Sequence, residues 1–83
     1  MSTGHRAYPD DEYFLGEPGS YWKHKSLGTW YCVTPEGQYG NLTRHDVVEH
    51  DDGTITVSPS ILITGHEVPE WHGYLERGEW RKV

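Results

Sequence analysis

Short apolar stretches with a period of two recur along this chain, separated by turn residues, and no stretch keeps a helical period. The clearest case is Asp46-Val47-Val48-Glu49-His50, then Asp51-Asp52-Gly53, then Thr54-Ile55-Thr56-Val57. Asp-Gly between alternating apolar runs is a strong hairpin signal. Ile55 and Val57 point one way and Thr54 and Thr56 the other, as in a sheet with one wet face. A rival reading makes residues 43–50 a short helix capped by Thr43; the paired valines and the Asp-Gly turn favour strand.

Other strands follow from the same signals. Tyr21–Lys25 reads as a first short strand, and Thr29–Thr34 as a better one, aromatic and β-branched. Alternation sets Trp30 and Cys32 on one face and Tyr31 and Val33 on the other. Pro35-Glu36-Gly37 reads as a turn. Ser58-Pro59-Ser60 marks a bulge, an edge or a bend, because Pro59 has no N–H to give to a ladder. Ile61-Leu62-Ile63 is apolar on both sides and is expected to be central. Trp71–Leu75 and Glu79–Arg81, around Glu76-Arg77-Gly78, form a second expected hairpin. Residues 1–20 show no period and are expected to be an irregular arm. Tyr8, Tyr13, Phe14 and Leu15 suit an arm lying partly on the body of the domain. The expected architecture is all-β: one antiparallel sheet of five or six short strands at 21–83, curled or forming a partial barrel.

Composition narrows the picture. Eighty-three residues make one small domain, and only 34% of them are hydrophobic. Four Trp, six Tyr and one Phe compensate, each buried aromatic removing roughly 150–250 Å² from water. Ten Gly and five Pro agree with many turns. The net charge of −6, with scattered basic residues, disfavours a binder of nucleic-acid backbone. It fits a soluble surface or a basic partner. The single cysteine, Cys32, permits no internal disulfide and points to a reducing, cytoplasmic setting. Asn41-Leu42-Thr43 matches a glycosylation sequon, but no secretory signal precedes it, so it is read as chance. No apolar run reaches the length of a membrane span.

Two blocks carry a family resemblance: Glu49–Leu62, with its Gly-Thr-Ile-Thr-Val-Ser-Pro-Ser-Ile string, and Trp71–Trp80. Together they resemble a group of short proteins from bacteriophages and actinobacteria. More distantly they are similar to the DUF6527 family, where such a segment precedes a final His-containing hairpin ending in Trp. The resemblance spans residues 29–81 at most and implies no established activity. Members of that family often carry several cysteines that suggest a bound metal. This chain keeps only Cys32.

The candidate chemistry is sparse. A zinc site needs three or four convergent ligands. Cys32, His66 and His72 are the weak candidates, and only the fold could unite them. His45 and His50, five apart, would face opposite sides of one strand. Cys32 with His72 or His50 is the only nucleophile–base pair worth naming. Neither Ser58 nor Ser60 lies in a nucleophile elbow. The aromatics Trp22, Trp30, Tyr31, Tyr39, Trp71, Tyr74 and Trp80 exceed what such a core must hold, although Trp30 and Trp80 are assigned to it. Aromatics with Arg and His form interface hot spots, and they also stack on bases or sugars. The expected contact residues are Trp71, His72, Tyr74, Tyr39, Arg44 and Arg77, with Gly73 leaving room beside its backbone. The expectation is therefore a non-enzymatic, protein-binding accessory module, phage or prophage encoded, able to self-associate through open sheet edges. A small-ligand or nucleotide binder, with Arg44, Arg77 or Lys23 answering the charge, is one alternative. A zinc-binding protein is the other.

Overall fold

A computed structural model of the chain describes residues 2–10, 14, 16–65 and 69–83. Among these residues nine strands are present: β1 (Ser2–Thr3), β2 (His5–Arg6), β3 (Ser20–Lys23), β4 (Trp30–Val33), β5 (Tyr39–Asn41), β6 (Asp46–Glu49), β7 (Ile55–Ile63), β8 (Trp71–Glu76) and β9 (Glu79–Lys82). They form a five-stranded sheet, β1-β9-β8-β7-β6, and a four-stranded sheet, β2-β3-β4-β5. Every pairing is antiparallel except β2 with β3. Among the described residues no helix is long and apolar enough to cross a membrane.

The all-β class and both hairpins agree with the sequence. Residues 46–49 are strand, so the helical alternative is overturned. Glu49 pairs with Ile55, and Gly53 closes the turn with φ 87°. The second hairpin turns on Arg77 and Gly78, with φ 46° and 76°. Two successive positive φ values match the right-handed twist of the flanking strands. Pro59 does mark a bulge. From Val57 to Ile61 β7 advances against only Leu75 to Gly73 of β8. Ser58, Pro59 and Ser60 thus lie against Tyr74 alone, two residues in excess, and the Ser58–Pro59 bond is cis.

One curled sheet becomes two open ones because alternation gives β3–β5 and β6–β9 separate apolar faces. Those faces meet in one core. Tyr21 and Cys32 of the smaller sheet and Leu42 of the following turn pack with Ile55, Val57, Ile61, Trp71, Leu75 and Trp80. Trp71 and Trp80 meet edge to face at 5.4 Å. Ile61-Leu62-Ile63 is apolar on both sides, yet Leu62 is 56% exposed, because only Ile61 and Ile63 face the core.

The irregular arm expected at residues 1–20 is a stitch between the sheets. Ser2 and Thr3 pair with Trp80 and Glu79 of β9. His5 and Arg6 then pair with Ser20 and Tyr21 of β3. Runs this short carry no readable period, so only tertiary partners reveal them. Arg6 fastens the crossing. Its guanidinium lies 4.7 Å from the ring centres of both Tyr8 and Trp30. It also donates to Glu49 (3.1 Å) and to the Gly53 carbonyl (2.8 Å). Trp80 Nε1 donates to the Gly19 carbonyl at 2.9 Å, and Lys82 pairs with Glu36 at 2.7 Å, tying the sheets again.

Candidate functional site

Each sheet has one face on the core and one turned outward, and the two outward faces differ. On the smaller sheet, Trp22 stacks on Tyr31 (6.2 Å) and meets Tyr39 edge-on (5.9 Å). Phe14 covers Trp22 at 5.0 Å, and Gly16 lies so close to the indole that an added Cβ would overlap it. Trp22 is 3% exposed as a result. The arm already occupies this face.

The outer face of the larger sheet has no such cover among the described residues. Alternation on β8 buries Trp71, Gly73 and Leu75 and turns His72, Tyr74 and Glu76 outward. β7 adds Thr56, Ser60 and Leu62, β6 adds Val48, and β9 adds Arg81. Val48 and Leu62 are each 56% exposed. The polar side chains there are held by one another. Ser60 Oγ and His72 Nε2 share a hydrogen bond of 2.9 Å, which the bulge makes possible by bringing Ser60 beside β8. Arg81 lies 4.4 Å over the Tyr74 ring and pairs with Glu76 at 2.8 Å. Thr56 Oγ1 accepts from the Arg77 N–H (3.0 Å) and shares a 2.7 Å bond with His50 Nε2. Side chains fixed in advance lose little entropy on contact with a partner.

The residues singled out in the sequence do not form one site. His72 and Tyr74 share the outer face, and Arg77 sits at the hairpin tip beside it. Tyr39 belongs to the other sheet, 48% exposed, with its hydroxyl pKa raised by partial burial. Arg44 is exposed in the turn between β5 and β6. Trp71 is corrected outright: it is a core residue, 1% exposed, and can touch no partner. Gly73 leaves no vacancy either. A Cβ there would lie 2.5 Å from the Arg81 carbonyl and 2.5 Å from the Trp71 ring.

The metal and nucleophile readings meet similar obstacles. Cys32 points into the core, fully buried, and desolvation pushes its thiol up to about 12. His72 is on the outward side of the opposite sheet, so the fold keeps it apart from Cys32. His66 lies outside the described residues. No group of three or more His, Cys, Asp or Glu among the described residues could hold a metal ion. Ser60 with His72 has the geometry of a nucleophile and base. Among the described residues, however, no carboxylate bonds the second ring nitrogen to orient it. His45 approaches the same residue, its Nε2 3.2 Å from the Ser60 carbonyl.

Sequence reasoning missed Arg6, whose role needs Trp30, Glu49 and Gly53, three partners distant in sequence. It also missed the Thr34–Gln38 pair, both buried. The Thr34 hydroxyl donates to the Gln38 side-chain carbonyl, and Gln38 Nε2 donates to the Pro69 carbonyl at 3.3 Å. The sequence shows Pro35-Glu36-Gly37 only as a turn.

Comparison with family models, with curated proteins and with solved structures returned no match to this chain.

Proposed function

We propose that this chain is a protein-binding module whose contact surface is the outer face of the five-stranded sheet. The observation that carries the reading is the contrast between the two outward faces. Phe14 of the arm packs on Trp22 of the smaller sheet, whereas among the described residues Val48 and Leu62 are exposed, and His72 and Tyr74 partly exposed, on the larger one. Leucine and valine beside tyrosine, histidine and arginine suit an interface centre ringed by polar groups. Immobilised His72 and Arg81 favour binding by a preformed surface.

The test is affinity capture from the native host with wild-type bait and two variants. Leu62→Glu with Tyr74→Ser alters the proposed surface, and Tyr39→Ser alters the other sheet. All the changed positions are wholly or partly exposed, and circular dichroism checks that each variant folds. The reading expects one partner in stoichiometric amount, lost with the first variant and kept with the second. Capture unaffected by Leu62→Glu/Tyr74→Ser, or no stoichiometric partner at all, would overturn it.

A further inference from the structure

A second interaction surface lies at the edge of the same sheet. Among the described residues β6 pairs only with β7 and leaves its other side open. The His50 N–H donates to the Thr54 carbonyl at 2.8 Å, which makes that pair hydrogen-bonded. Bonded and non-bonded pairs alternate along an antiparallel ladder. Asp46 and Val48 therefore bond to β7, while Val47 and Glu49 direct their N–H and C=O groups outward. Natural edge strands are commonly guarded by proline, lysine, other charges, a bulge or shortness. β6 has no proline, lysine or bulge; its four residues carry the charges of Asp46 and Glu49, and Val48 is exposed between them. Pro59 and the charged hairpin tip, the features expected to guard the edges, lie elsewhere: Pro59 beyond the end of β6, the tip between β8 and β9.

We propose that two copies of this chain pair antiparallel through β6, with Val48 opposite Val48 of the second copy. The strand's own sequence selects this register. An added strand must set outward-directed residues against each other, which leaves three two-fold arrangements. Centring on Glu49 brings two carboxylates together. Centring on Val47 sets each Val48 against an Asp46. Centring on Val48 sets Val47 against Glu49, and on the outer face it sets Asp46 against His50 twice, flanking a Val48–Val48 contact. Opposite charges and apolar pairs directly across a ladder are the stabilising combinations. The Asp46 side chain makes no hydrogen bond or ion pair within its own chain among the described residues, so its carboxylate is free to accept. With the Thr56 hydroxyl donating to His50 Nε2, the ring's other nitrogen is left to donate to it. Arg44, exposed just before β6, comes toward the Asp51–Asp52 turn of the second copy.

This inference does not rest on the protein-binding reading, since it needs no other protein. The two copies would share one continuous sheet, with both outer faces on the same side. Five paired residues make a contact smaller than the roughly 1,200–2,000 Å² of a stable interface. The dimer is therefore concentration-dependent, forming between about 10 μM and about 1 mM.

The experiment is sedimentation equilibrium on wild type, Val48→Lys, Asp46→Lys, His50→Asp, and an equimolar mixture of the last two. Wild type is expected to dimerise over that range, and each variant alone at least about tenfold more weakly. In the mixture, Lys at 46 of one chain meets Asp at 50 of the other, while the native Asp46–His50 pair survives on the opposite side. Dimerisation should return to within about threefold of wild type. Amide exchange provides a reading that needs no substitution: Val47 and Glu49 amides should gain protection with rising wild-type concentration. A wild type that stays monomeric at about 1 mM would overturn the proposal. So would a dimer indifferent to Val48→Lys, or Val47 and Glu49 amides that exchange equally at all concentrations. If the His50→Asp chain fails to fold, Val48→Lys and the amide reading decide.

Discussion

Arg6→Ala tests whether the N-terminal stitch belongs to the folded domain or merely rests on it. The guanidinium donates to the Gly53 carbonyl at 2.8 Å, and a charged hydrogen bond of that kind contributes about 1.5–3 kcal/mol. Its two ring contacts at 4.7 Å add about 0.5–2 kcal/mol each. The pair with Glu49, half exposed, adds less than about 1 kcal/mol. Against these, Arg6 Nε is buried without a partner among the described residues, which costs about 1–3 kcal/mol that truncation would relieve. The interactions share one group and do not add, so the net loss expected is about 2–3 kcal/mol. For a domain this size that lowers Tm by roughly 10–20 °C. Urea unfolding followed by tryptophan fluorescence measures it. Arg6→Lys keeps the charge without the planar fork and should recover less than about half of the loss. A loss below about 1 kcal/mol, or full recovery by lysine, would refute the reasoning. In that event the arm would be shown to detach without disturbing the core.

Three further outcomes follow from the same geometry. Cys32 should resist thiol reagents in the native state and react only on unfolding. Its raised pKa also sets a pH dependence: the contribution is complete below the unfolded thiol value near 9 and is lost as pH rises toward about 12, so Cys32→Ala should flatten the fall in stability over that window. Gly73→Ala should cost more than about 2 kcal/mol in urea unfolding, because the new methyl meets a backbone carbonyl and a core indole that cannot retreat. Asp52, whose carboxyl is held below its ordinary value by hydrogen bonds from Thr54, contributes stability that is present above the unfolded carboxylate value and lost as pH falls through the folded one. The stability gap between wild type and Asp52→Asn should therefore narrow as the pH drops below about 4.

The hairpins were legible because their signals are local. Asp52-Gly53 and Arg77-Gly78 sit between alternating runs, and each is a turn in the structure. Pro59 announced its bulge for the same reason, through a missing N–H. What escaped were features made by distance in sequence. β1 and β2 are too short to show a period and exist through β9 and β3. Nor does a one-dimensional pattern say how strands divide between sheets, so a sandwich read as a single curled sheet. For the candidate site, the sequence singles out His72 and Tyr74 for their chemistry beside Gly73, and it is the structure that turns both outward. Trp71, their neighbour, was mistaken for a contact because composition counts aromatics without saying which way they face. Leu62 was assigned to the interior for want of the knowledge that its strand is covered on one side only. The contrast between the two sheet faces requires Phe14 to be placed on Trp22; the apolar arm residues point to the body of the domain, but nothing in the sequence says which face they meet.

The most direct test of the binding surface is photo-crosslinking in living host cells, with a benzophenone amino acid placed at Leu62 in one chain and at Tyr39 in another. Both positions are about half exposed, on opposite sides of the molecule. The account predicts a discrete adduct from Leu62, heavier than the chain by a mass other than a second copy, and none from Tyr39. An adduct from Tyr39 alone, or none from Leu62, would contradict it.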